Sequence, residues 1–195
     1  MKRFITGTDT GVGKTAVTVA LADIARGKGL SVFAFKPVET GGVEDQQRLG
    51  NGLYTFKQPR APWVAAQLDG TEIDLDLIIS TVSRETATVV LVEGAGGWRV
   101  PITASADMAE LARRLGYPVV VVARAGLGTI NHSLLTLEAV ERDGLNVAAL
   151  ILSQLPTDDP AFTRSNREQI AHRWPGRILV FDGGTASLDE IFSDS

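Results

Sequence analysis

Ten residues near the N-terminus, Thr6-Gly7-Thr8-Asp9-Thr10-Gly11-Val12-Gly13-Lys14-Thr15, restrict the fold more than any other part of the chain. A short apolar segment (Phe4, Ile5) precedes them, and a helix-compatible run over residues 16–26 follows. Strand, glycine-rich loop, Lys-Thr and helix is the order of a P-loop. In that order, backbone N–H groups of the loop and helix N-terminus surround a polyphosphate. The pattern assigns nucleotide contacts to Gly11, Val12, Gly13, Lys14, Thr15 and Ala16. Lys14 is expected to set its charge between the β- and γ-phosphates, and Thr15 its hydroxyl on Mg²⁺. The strict pattern has glycine five residues before Gly13. Thr8 stands there and Gly7 comes one residue early, so the first turn is a variant.

Composition narrows the setting. A chain of 195 residues suits one domain, 1–195, with room for a sizeable core. Hydrophobic residues make up 44%, enough to fold. The net charge is −4 with scattered basic residues, so a nucleic-acid partner has no electrostatic footprint. The absence of cysteine excludes disulfides, thiol catalysis, thiolate zinc sites and iron–sulfur clusters. The longest apolar stretches, residues 119–123 and 147–152, fall far short of the ~20 residues of a membrane span. The chain starts directly in the P-loop strand, leaving no space for a signal peptide. A cytoplasmic protein without a membrane partner is the expectation.

The chain alternates strands and helices. Residues 3–6 are a predicted strand and 14–28 its crossover helix. A second strand over 31–36 is expected to stop at Pro37. Residues 37–62, rich in Gly, Asn, Gln and Pro, are predicted as a loop whose length favours a functional role. Segments 63–68 and 74–84 are predicted helical. A β-branched run over 88–93 leads into Gly94-Ala95-Gly96-Gly97. Further helices are predicted over 104–116 (Gly116 as C-cap), 129–143 and 160–173, with strands over 118–123, 146–152 and 177–181. Continuous apolar strands separated by helices give an α/β fold: a P-loop NTPase-like parallel sheet with helices on both faces. Ligands of such sheets gather at the carboxyl ends of the strands. Residues 7–15, 36–42, 93–97 and 126–131 all fall there.

Lys36 ends the second strand, where it is a second cation for a transferred phosphoryl group or a solvated lysine before a turn. Glu93 ends the β-branched strand, where a P-loop carboxylate reaches Mg²⁺ directly or through water, or where it is an exposed acid in a tight turn. Gly94, Ala95 and Gly96 let backbone approach the phosphates. Asp45 completes the metal shell or is a solvated loop carboxylate. Gly128, Thr129, Ile130 and Asn131 open a helix and offer N–H groups to an anionic substrate group, unless Thr129 or Asn131 simply caps it. His172 lies on an amphipathic helix and is read as structural; His132 has no catalytic partner in sequence and is assigned no catalytic role, a packed or capping residue being the commoner case. The residues alone lead to a magnesium-dependent nucleotide hydrolase or phosphoryl-transfer enzyme with an unnamed acceptor.

Four motifs together resemble the dethiobiotin synthetases. They are the P-loop Thr6–Thr15, Lys36-Pro37-Val38-Glu39-Thr40-Gly41, Val92-Glu93-Gly94-Ala95-Gly96-Gly97-Trp98 and Gly128-Thr129-Ile130-Asn131-His132. Tyr54-Thr55-Phe56 before Pro59, and Pro62, add to the likeness. The resemblance implies ring closure in biotin synthesis from 7,8-diaminopelargonate (7,8-diaminononanoate), CO₂ or bicarbonate, and ATP as co-substrate. It implies a carbamate, then a carbamic–phosphoric anhydride. It casts Lys14, Lys36 and Thr10 as catalytic, and Thr15, Asp45 and Glu93 as Mg²⁺ ligands. It casts Thr40 and Gly128–Asn131 as substrate contacts, the latter across a two-fold homodimer interface.

Two departures from the family pattern stand out. Gly11 replaces an acidic residue of some members. Ser153-Gln154-Leu155-Pro156 stands where others carry an Asn-Asp adenine reader, so base preference stays open, with backbone near Pro156 or Gly183-Gly184 as substitutes. The chief rival is a regulatory ATPase like the septum-site proteins. Their variant P-loop has lysine at the place of Asp9, and the acidic C-terminus, 188–195, lacks a basic membrane helix. A cobyrinate-type amidating enzyme would need a glutaminase domain as well.

Overall fold

The computed structural model describes residues 1–192; residues 193–195 of the acidic C-terminus lie outside the described residues. These residues form seven strands in one parallel sheet: β1 (Lys2–Gly7), β2 (Val32–Thr40), β3 (Gly52–Phe56), β4 (Val89–Gly97), β5 (Val119–Arg124), β6 (Val147–Ser153) and β7 (Ile178–Phe181). Their spatial order is β3-β2-β4-β1-β5-β6-β7. The helices are α1 (Lys14–Gly27), α2 (Glu44–Leu49), α3 (Pro62–Leu68), α4 (Leu75–Ser83), α5 (Met108–Leu115), α6 (Thr129–Arg142) and α7 (Pro160–Ala171), followed by a 3₁₀ turn over Ala186–Phe192. The P-loop strand β1 is central. The chain runs outward on one side of it, returns through β4, and then builds the other side.

Side-chain alternation sorts the strands onto two cores. Val90 and Val92 of β4, with Val119 and Val121 of β5, face α3 to α7. Val89, Leu91, Val120 and Val122 face α1, meeting Val17 and Leu21. Both faces are dry, which is why these strands are continuous apolar runs.

Three expectations are corrected. Pro37 does not stop β2, which runs nine residues to Thr40. Lys36 N–H donates to Asn51 O of the β3 side, and Ser31 O accepts from Val89 N of the β4 side. By alternation Pro37 faces β4, and pairing with β4 has ended at Phe35↔Val92. The N–H that proline lacks has no rung to fill. Secondly, the 37–62 segment is not a plain loop: it contains α2 and β3, which pairs with β2 from Lys36↔Gly52 to Thr40↔Phe56. Thirdly, α5 starts at Met108 rather than residue 104, because Asp107 caps it, accepting from Glu110 N at 2.9 Å. Residues 102–106 instead form a turn closed by Ile102 N–H to Ala106 O.

Candidate functional site

The site grows from the sheet's period of two. Ala34 and Leu91 are register partners facing α1. Two residues further on, Lys36 and Glu93 emerge on the same face, above the last apolar pair. Thr15 reaches them from the first turn of α1. Lys36 Nζ donates to Glu93 Oε1 at 2.7 Å and to Asp45 Oδ2 at 2.5 Å. Thr15 Oγ1 donates to the same Glu93 Oε1 at 2.7 Å. Lys36 is 5% exposed and Glu93 0%.

These positions set the charges. Burial alone would lower the Lys36 ammonium, but Glu93 and Asp45 outweigh it and hold Lys36 above the ordinary lysine value. Burial would raise Asp45, but the bond from Lys36, the charges of Lys36 and Arg48 and the nearby Thr15 hydroxyl hold it lower. Lys14 differs. Burial dominates and pushes it down to about 8, against the attraction of Glu93. Lys14 Nζ donates to Asp9 O at 2.9 Å.

The variant first turn of the P-loop has a steric basis. A β-carbon on Gly7 would lie 2.8 Å from Asp9 O and Val12 Cγ2 and 3.0 Å from Lys14 Nζ. Glycine one residue early thus admits the inward-folded Lys14. Gly13 has φ +98°, and a β-carbon there would meet Ser153 Oγ at 2.5 Å. The end of β6 therefore rests directly on the phosphate loop.

A cavity of about 310 Å³ gathers Thr10, Gly11, Gly13, Lys14, Thr15 and Ala16 with Lys36, Thr40, Asp45, Ala95 and Gly96. Glu93 lies beneath it, joined through Thr15 and Lys36. Val12 turns into the core instead, and Gly94 packs by its backbone toward Phe4, where a β-carbon would sit 3.2 Å from the ring. Gly128, Thr129, Ile130 and Asn131 do not line this cavity. Neither Thr129 nor Asn131 caps α6, whose Gly128 N-cap has no side-chain bond. Thr129 is buried, its Oγ1 3.3 Å from Ser133 Oγ, whereas Gly128 and Asn131 are exposed. Their neighbour Leu127 is 91% exposed. A narrow crevice connects Gly126, Thr129 and His132 to Thr8 and Asp9 on the back of the P-loop. Of the backbone groups considered for the base, Gly184 N–H is already engaged by Asp182 Oδ1 at 3.0 Å.

Sequence reasoning missed Glu39 and Arg48, which also line the cavity. Ending β2 at Lys36 hid Glu39 in a loop, and Arg48 needs α2 to turn toward the site. A β2 continued past Pro37 would have put Glu39 at a strand's carboxyl end.

The donor set fits Mg²⁺. It consists of hard oxygens, one hydroxyl and two carboxylates, the kind that ion uses beside substrate phosphates. Glu93 Oε2 is buried with no hydrogen-bond partner among the described residues, leaving lone pairs for a cation.

The low Lys14 value has a measurable consequence. A bound polyphosphate favours the ammonium, so nucleotide binding should draw in a proton. Calorimetry at pH 8.5 in buffers of different ionisation enthalpy should give uptake of about 0.7 proton, against about 0.1 at pH 7. No uptake at pH 8.5 would mean that Lys14 is already charged. The unfolded chain keeps this proton up to 10.5, so by the same linkage the free fold should gain stability as pH rises from about 8 to 10.5.

Comparison with known proteins places the chain in a family. A family model described as an AAA domain matches residues 2–180. The ATP-dependent dethiobiotin synthetase BioD of Anaeromyxobacter sp. (strain K) is 44% identical over 200 residues, covering 92% of this chain and 89% of the relative. BioD of Methanocaldococcus jannaschii is 41% identical over 167 residues, covering 77% and 78%. Among solved structures, the MinC:MinD cell division protein complex of Aquifex aeolicus aligns with TM-score 0.62 over 97% of this chain and 84% of that one. At 14% identity that likeness concerns the fold alone. That cell division complex thus shares the sheet, while sequence identity across most of the length lies with BioD: the chain belongs to the ATP-dependent dethiobiotin synthetase family.

Proposed function

We propose that the chain closes the ureido ring of dethiobiotin from 7,8-diaminopelargonate, CO₂ and ATP. By family it is an ATP-dependent cyclo-ligase of biotin biosynthesis. The observation that carries the finer reading is the convergence of two buried lysines, Lys14 and Lys36, on one cavity beside Thr10 and Thr40. A phosphoryl group moving between two anions needs that concentration of positive charge.

The chemistry runs as three transfers. One substrate amine attacks CO₂ and loses a proton, giving a carbamate. A carbamate oxygen attacks the γ-phosphorus and ADP leaves, giving the carbamic–phosphoric anhydride. The second amine attacks the carbonyl carbon, loses a proton and expels phosphate, closing the ring. Lys14 neutralises the triphosphate, and Lys36 the moving phosphoryl group and the carbamate. The Thr10 and Thr40 hydroxyls orient the phosphate and substrate sides. Mg²⁺, held by Thr15, Glu93 and Asp45, would neutralise the β- and γ-phosphates.

The start of α6 at Gly128–Asn131, where Thr129 N–H donates to Gly126 O, lies outside the cavity, which supports a homodimer whose second subunit brings its substrate carboxylate to this exposed turn. A monomeric mass in sedimentation at assay concentration would remove that part. The whole reading is tested by mass spectrometry with diaminopelargonate, bicarbonate, Mg²⁺ and ATP, repeated with CTP and GTP. Dethiobiotin with one phosphate released per ring is expected, and the triphosphate ranking measures base selection without the Asn-Asp pair. Nucleotide hydrolysis with no dethiobiotin from any triphosphate would return the chain to the regulatory ATPases.

A further inference from the structure

Glu39 is a carboxylate 4% exposed that forms no ion pair among the described residues. An anion so enclosed must be satisfied by hydrogen bonds. Its two oxygens accept from consecutive backbone N–H groups of α2: Asp45 N at 2.9 Å and Gln46 N at 2.7 Å. The N-cap of α2, Val43, provides no side-chain cap of its own. Glu39, reaching over from the end of β2, takes that part.

The residue held in this way matters. Asp45 has its backbone on Glu39 and its side chain on Lys36, three residues earlier in the same strand. Gln46 completes the attachment. Its Nε2 donates to Lys36 O at 3.0 Å and Tyr54 O at 2.9 Å, and its Oε1 accepts from Thr55. A helix of six residues is too short to hold itself. It is strapped across β2 and β3 by these bonds, in which Glu39 is the carboxylate that accepts from the backbone of α2. We propose that Glu39 is a positioning residue: it anchors the first turn of α2 and thereby fixes Asp45 against Lys36 at the metal side of the cavity.

The kinetic consequence rests on the ring-closure reading; the anchoring does not, and the test separates the two. Amide hydrogen exchange at Asp45 and Gln46 is followed by NMR in the free protein, for wild type, Glu39→Gln and Glu39→Ala. Loss of two charge-assisted bonds should speed exchange at both amides by at least about tenfold in Glu39→Ala, with β5 amides unchanged. Glu39→Gln keeps an acceptor oxygen and should recover part of the protection. In the assay, Glu39→Ala should lower kcat about tenfold and raise half-saturating Mg²⁺ by about as much, with KM for diaminopelargonate within about twofold. In an Asp45→Asn background, Glu39→Ala should cost no more than about twofold further.

Unchanged exchange at Asp45 and Gln46 in both variants would overturn the anchoring. A full additional loss on top of Asp45→Asn, with a raised diaminopelargonate KM, would overturn the positioning role and make Glu39 a direct substrate contact. Should wild type form no dethiobiotin, the ring-closure reading fails, while the exchange data still decide the anchoring.

Discussion

Replacing Lys36 with alanine is expected to lower turnover about 10²- to 10³-fold while nucleotide affinity stays within about threefold. On the proposed reading Lys14 and the loop N–H groups, which remain, would hold the polyphosphate. What disappears is the cation at the acceptor side, whose effect is largest when charge is moving. Lys36 also neutralises Glu93, which has no access to water. Removing one partner of a buried pair leaves an uncompensated charge and typically costs about 3–5 kcal/mol. The variant should therefore unfold at a lower temperature, and Mg²⁺ with nucleotide should restore part of the loss if, as proposed, the cation binds these carboxylates. Rapid-quench measurement of phosphate and dethiobiotin, alongside fluorescent-nucleotide titration, separates the two effects. Wild-type turnover in a folded Lys36→Ala protein would remove Lys36 from the mechanism.

Glu93→Gln is expected to raise half-saturating Mg²⁺ at least about tenfold and to lower kcat/KM about 10²-fold. The substitution keeps shape, so Thr15 Oγ1 can still find an acceptor oxygen. It removes the charge that offsets the burial of Lys36. With Asp45 as its remaining carboxylate, Lys36 should lose its proton at lower pH than in the wild type, so the alkaline limb of the rate profile should move down. Magnesium titrations at fixed ATP and a pH–rate profile report both effects. An unchanged titration and rate would end the metal role of Glu93.

Legibility of the sequence followed burial. β4 to β6 were visible because a strand covered on both faces must be an unbroken apolar run, and 119–122 is four valines. The P-loop followed from the end of β1, whereas Lys36 and Glu93 do not end their strands as expected: β2 and β4 run on to Thr40 and Gly97, and only the apolar runs stop at these two residues. α2 and β3 were hidden because they are six and five residues long and mostly exposed. β3 is an edge strand whose Gly52, Leu53 and Thr55 face water, so no periodic signal survives. Residue 104 looked like a helix start because alanine favours helix; the Asp107 cap and the Pro101↔Asp107 bridge decided otherwise. The role proposed for Glu39 depends on a helix that begins five residues downstream and folds back over its own strand, which no local pattern encodes.

Pro37 carries a last consequence. β2 and β4 run side by side up to Phe35 and Val92, and each then continues with a different neighbour. Two parallel strands diverging from a shared register would ordinarily be free to add another rung, and one more would draw Lys36 and Glu93 into the ladder. The next backbone donor that β2 turns toward β4 belongs to proline, so that rung cannot form. The sheet is barred from healing over its own active-site cleft, and the same residue that seemed to end a strand is what keeps two strands apart.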